Sequence, residues 1–69
     1  MFIAIYKDPQ EMPRAWARSI DRIQAEASAY VELQEYKDEK RTVGDPLADA
    51  TFTLEIWRSS PDTLEVVTD

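Results

Sequence analysis

The chain contains no histidine, no cysteine and a single glycine among its 69 residues. Each absence removes a class of chemistry. Without histidine there is no general base poised near neutral pH and no imidazole metal ligand. Without cysteine there are no disulfides, no thiolate zinc sites and no thiol nucleophile. One glycine, Gly44, excludes the glycine-rich loops that cradle phosphates. No stretch approaches the ~20 apolar residues of a membrane-spanning helix, and Phe2 to Tyr6 is too short for a signal-peptide core and has no basic residues before it. The chain reads as cytosolic, and no cofactor or metal is expected.

What remains is enough for one small domain. Hydrophobic residues make up 43% of the chain and aromatics 10%, too much for a disordered tail. A chain of this length buries only ~60% of its unfolded surface, so its margin of stability is thin. With no disulfide or metal to help, either the core is efficient or a second chain covers part of it.

The apolar spacing predicts a β-α-β-β-β order. Phe2-Ile3-Ala4-Ile5-Tyr6 is a short, β-branched and aromatic run, the pattern of a central strand buried on both faces, or of one with a face against another molecule. Asp8-Pro9-Gln10-Glu11 has the form of a helix start, with Asp8 as cap and Glu11 at capping-box spacing; Pro13 moves the regular helix to begin there. Met12, Trp16, Ile20, Ile23 and Ala27 then fall within about 80° of arc on a helix. This predicts an amphipathic helix ending near Ser28 or Ala29, with Trp16 in the core. From Ala29 to Tyr36 alternation favours a strand, with a continued helix as the rival reading. Lys37 to Ala50 reads as a loop anchored by Leu47. Thr51 to Arg58 alternates, with Phe52, Leu54 and Ile56 on one side and Trp57 on the other. A turn at Ser59-Ser60-Pro61-Asp62-Thr63 and a last strand, Leu64 to Thr68, complete a hairpin. The expected fold is a small two-layer α+β domain, residues 1–69, with one amphipathic helix on a mostly antiparallel sheet.

Catalysis would have to come from carboxylates alone. Glu32 with Glu35, and Asp45 with Asp49, are the acidic pairs at short spacing. A domain this small has little room for the cleft that paired carboxylates need, and they read as solvated acids. Gly44-Asp45-Pro46 lacks the oxygen ligands of a calcium loop. Arg14, Arg18 and Arg22 stand one helical turn apart, but Glu11, Asp21 and Glu26 lie three or four residues from them and absorb much of their charge.

Charge is the informative feature. The formal net charge is −6, opposite in sign to most nucleic-acid binders. Residues 1–29 are neutral overall, whereas residues 42–69 carry −5. An acidic hairpin of this kind fits a basic protein surface and can imitate a nucleic-acid backbone. The alternative is charge for solubility and edge protection. The candidate partner-binding residues are Glu55, Trp57, Asp62, Glu65 and Asp69, with Asp45 and Asp49 in support; Trp57 adds an aromatic anchor. In size, charge and missing catalytic groups the profile is similar to small acidic phage-encoded inhibitors, including anti-CRISPR proteins and DNA mimics, although no residue motif carries the likeness. The expected function is a non-enzymatic inhibitor or adaptor that occludes a basic, nucleic-acid-binding surface of a larger protein, without touching nucleic acid or membrane itself. The alternative is a homo-oligomeric accessory subunit, such as a homodimer whose sheets pair or stack.

Overall fold

The computed structural model describes residues 1–59 and 64–67. The order along the chain is strand β1 (Phe2–Lys7), strand β2 (Pro13–Ser19), helix α1 (Arg22–Thr42), a 3-10 turn (Pro46–Asp49), strand β3 (Thr53–Ser59) and strand β4 (Leu64–Val67). The strands form one antiparallel sheet in the order β2-β1-β3-β4. Helix α1 packs on one side of it, chiefly over β2 and β1. The α+β class, the single helix on an antiparallel sheet, the central place of β1 and the C-terminal hairpin pairing all agree with the sequence reading. The turn expected over residues 60–63, and Thr68, lie outside the described residues.

The element order differs: it is β-β-α-β-β. Residues 13–19, read as helix, are strand, and residues 29–36, read as strand, are helix. The cause lies partly at Asp8. Its Oδ1 accepts the backbone N–H of Gln10, two residues ahead as in a helix cap, and also that of Met12, four ahead, both at 2.9 Å. Here that bonding closes a hairpin loop instead. Asp8 N–H donates to the Met12 carbonyl, Glu11 turns the chain at φ 64°, and Pro13 opens β2 on an edge of the sheet. In β2, Ala15 is buried, Ala17 half-buried, and Arg14, Trp16 and Arg18 are exposed, which is a period of two.

The helix cap is Asp21, whose Oδ1 accepts the Ile23 N–H at 2.8 Å. No glycine or proline interrupts the chain from Arg14 to Val43. The buried stripe of α1 is Ala25, Ala29 and Leu33, at steps of four. It ends in a Schellman motif: Gly44, at φ 74°, donates to the Arg41 carbonyl, and Asp45 N–H donates to that of Lys40. Lys37 to Thr42, read as loop, is thus the last helical stretch. The connection to β3 is pinned by Ala48, which is buried, rather than by half-buried Leu47.

The core is made of small residues. Ala4, Ala25 and Ala29 have no exposed surface and Ile56 is 5% exposed; Phe2, Tyr6, Ala17 and Val67 pack around them. Alanine on both surfaces lets helix and sheet approach closely. The stripe expected to face the core faces water instead: Met12, Trp16, Ile20 and Ile23 are all exposed, Trp16 at 59%. No large side chain among the described residues is fully buried.

Candidate partner-binding surface

Residues directly opposite each other in an antiparallel pair share a face of the sheet. Ala4 pairs with Ala17 on one side and Ile56 on the other, so these lie under the helix. The alternate residues form the open face. One row across the sheet is Arg18, Ile3, Trp57 and Val66, and the next is Trp16, Ile5 and Glu55. Leu64 extends the face along β4. Neither α1 nor the 3-10 turn crosses this side. The result is a nearly continuous apolar surface of two indoles, two isoleucines, a leucine and a valine. Ile3, Ile5 and Trp57 are half-buried only by their neighbours, and Trp16, Leu64 and Val66 are exposed. Beside apolar neighbours, tryptophan is the residue most enriched where protein contacts concentrate their binding energy.

The charges on this face are mostly cancelled. Lys7 Nζ lies 3.2 Å from Glu55 Oε2, and the Trp57 indole N–H donates to Glu55 Oε1. The Lys7 ammonium first, and the Trp57 N–H after it, hold the Glu55 carboxyl below the usual carboxylate range. Arg18 forms no ion pair among the described residues.

The acids expected to act together are distributed differently. Glu55 faces the open side, whereas Glu65 is opposite Arg58 on the other side and pairs with it at 2.9 Å. Asp45 caps the 3-10 turn by accepting the Leu47 N–H at 2.9 Å and lies 3.9 Å from Lys40 Nζ. Asp49 is exposed at the end of that turn. Asp62 and Asp69 lie outside the described residues. The hairpin therefore does not bring Glu55 and Glu65 into one row.

A row of unpaired carboxylates does occur on α1. Glu32, Glu35 and Glu39 are all exposed and make no ion pair among the described residues. At helical spacing they fall within about 60° of arc and span about 10 Å of the axis. Their i, i+3, i+7 pattern is visible in the sequence once the helix is placed at 22–42, and hidden when residues 29–36 are read as strand. Trp16 and Val66 were likewise not identified as surface residues, whereas Ile3 and Ile5 fell within the alternative reading of β1 as a strand with one face against another molecule. The signal for Trp16 was the alternation Arg14-Ala15-Trp16-Ala17-Arg18.

Elsewhere, Asp8 is 3% exposed and its Oδ2 accepts from Arg14 Nε at 2.9 Å. The Met12 N–H and then the Arg14 guanidinium hold its carboxyl below the ordinary value. On the helix side, burial, with Glu26 and Tyr30 nearby, raises the Tyr6 phenol. An open cleft of about 330 Å³ beside the start of α1 is lined by Arg22, Glu26, Leu54 and Val67 among others. No helix among the described residues is long and apolar enough to cross a membrane, and no three acidic side chains among them gather as a metal site would require. No protein-family model, curated protein or solved structure matches this chain.

Proposed function

We propose that this chain is a small acidic binding protein without catalytic activity, an inhibitor or adaptor that covers a basic, nucleic-acid-binding surface of a larger protein. The observation that carries this reading is the outward row Glu32, Glu35 and Glu39. The net charge of −6 is expressed there because most cations are already engaged. Lys7, Arg14, Arg22, Lys40, Arg41 and Arg58 each lie in an ion pair, and Lys37 sits 5.3 Å from the Phe52 ring centroid. Asp49 and the acids of the C-terminal segment add to the same sign. A surface of this kind steers a basic partner into encounter and loses affinity as salt rises.

The test is capture from a nucleic-acid-rich lysate on immobilised protein, followed by identification of what is retained. The expected result is a nucleic-acid-handling protein held at low salt, released at high salt and displaced by DNA or RNA. Joint replacement of Glu32, Glu35 and Glu39 by Gln weakens that capture at least tenfold while circular dichroism stays unchanged. A folded triple variant that retains the partner equally well overturns the reading.

A further inference from the structure

We infer that the open face of the sheet is the interface of a two-fold homodimer, stacked sheet on sheet with the helices outermost. This does not rest on the acidic-surface reading, since the exposed carboxylate row lies on the flank of α1, on the helix side of the sheet, and stays accessible in either case.

The first ground is what covers each face. On the helix side Ala4 and Ile56 are buried against Ala25 and Ala29, with Phe2, Tyr6 and Val67 packed around them. Trp16, Trp57, Ile3, Ile5, Leu64 and Val66 stand on the other side of the sheet, where neither α1 nor the 3-10 turn lies. A sheet with one face under a helix and the other apolar and bare is half of a layered structure. Closing it with a second sheet gives four layers, helix-sheet-sheet-helix, with the two inner faces about 10 Å apart.

The second ground is area. Four strands about 4.8 Å apart and about six residues long make a face of roughly 19 by 20 Å. With the relief of its side chains that is on the order of 600 to 800 Å² of accessible surface per copy, close to the ~800 Å² per partner of a stable interface.

The third ground is charge, and it selects a second copy over a basic partner. Two chains of −6 repel, and the face on which they meet must hold little of that charge. On the open face Lys7 and Glu55 neutralise each other and Arg18 leaves a slight positive excess. A two-fold axis parallel to the strands lays β1 of one copy over β3 of the other, and β2 over β4. Ile3 then meets the facing Trp57, and Arg18 lies diagonally across from the facing Glu55. Because the patch meets itself, the assembly closes at two and builds no fibre.

The test uses the whole chain. Sedimentation equilibrium at tens of micromolar should give twice the chain mass of 8.0 kDa, with little change between low and high salt. Ile3→Lys, at the centre of the face, buries a charge against the facing Trp57, with its like-charged copy beside it across the two-fold axis, and should weaken association at least a hundredfold. Trp16→Lys, at an exposed margin, should weaken it at least tenfold. Tyr30→Lys, on the exposed side of α1, should leave it unchanged. Should Ile3→Lys fail to fold, the unmodified chain still decides the matter. Its tryptophan emission should shift to the red and become more open to acrylamide as the protein is diluted through the dissociation range. A chain that sediments at 8.0 kDa at about 100 μM overturns the proposal. So does a dimer that survives a folded Trp16→Lys, or one broken by Tyr30→Lys, because association would then use another surface. Loss of lysate capture in the Glu32, Glu35 and Glu39 variant leaves the mass unaffected, so the two proposals fail separately.

Discussion

Toward the helix the sheet presents Ala4, Ala15, Ala17 and Ile56; toward the open side it presents Ile3, Ile5, Trp16, Trp57 and Val66. Both faces are apolar, so hydrophobicity does not distinguish them. Cover does. Alanine faces alanine at the middle of the α1 contact, with Phe2, Tyr6 and Val67 packed around it, whereas neither α1 nor the 3-10 turn lies over the open side. In a small domain, the closest packing goes to the residues that let two layers approach, and a strongly hydrophobic stripe can be left outside. The two faces should accordingly respond to substitution in opposite ways.

The largest expected effect is on the helix side. Ile56 is the largest side chain in the central cluster and is 5% exposed. Ile56→Ala should cost ~2–5 kcal/mol, a large share of the roughly 3–10 kcal/mol that a domain of this size has. Urea denaturation should show a much lower midpoint, or no folded baseline. Enlarging a neighbour should also cost stability. Ala29→Leu pushes extra volume into a contact with no exposed surface and should cost about 1–3 kcal/mol by the same measurement. The matching change on the open face, Trp16→Ala, should alter the unfolding of the separated chain by less than about 1 kcal/mol, the range of one cross-strand pair. A large loss there, at concentrations below association, would erase the contrast between the faces.

The contrast also explains what the sequence disclosed. Strand β1, the C-terminal hairpin and the two-layer class were legible because Phe2 to Tyr6 and Thr51 to Arg58 carry strong local β signals. The middle of the chain was not. Large apolar residues from Met12 to Ile23 happen to recur at helical intervals, while the stripe that packs, Ala25, Ala29 and Leu33, is made mostly of the least hydrophobic apolar residue. Tyr36 belongs to that second stripe and is out of phase only against the first. Asp8 compounded the error, because an aspartate that accepts the N–H two residues ahead can start a helix, whereas here it also takes the N–H four ahead and closes a hairpin loop. The candidate surface was legible in part. Alternation against Ile56 placed Trp57 opposite the core side, but the acids of the hairpin could not be sorted without the register that separates Glu55 from Glu65.

A medium effect is expected from Asp8, at the end of the sheet where the two faces meet the β1–β2 loop. Both Asp8 and Glu55 have folded carboxyl values below their ordinary 3.8 and 4.5. A lowered value means that the unfolded chain takes up protons first as the solution is acidified. Their contributions are therefore complete above those ordinary values and are lost as pH falls through the lower, folded ones. Stability should decline from just above pH 4. Asp8→Asn keeps an oxygen for the Gln10 and Met12 N–H groups but loses the charge on Arg14. It should be less stable at neutral pH and show a shallower acid decline, by denaturation at several pH values. An unchanged acid limb would remove Asp8 from the account.

The smallest effect tests whether packing or hydrogen bonding governs the helix side. Tyr36 sits near the far end of α1, its ring edge-on to Phe52 at 6.0 Å between centroids and with Lys40 Nζ at 5.4 Å from its own centroid. Its hydroxyl is buried and finds no hydrogen-bond partner among the described residues. A buried donor without a partner keeps its desolvation cost and returns nothing. Phenylalanine preserves the ring, the edge contact and the cation above it, and removes only the hydroxyl. Tyr36→Phe should therefore be neutral or stabilising by up to about 1 kcal/mol, read as an unchanged or raised urea midpoint. A loss of more than that would mean the hydroxyl is bonded, and that this end of the helix is held by a polar contact rather than by the fit of its rings.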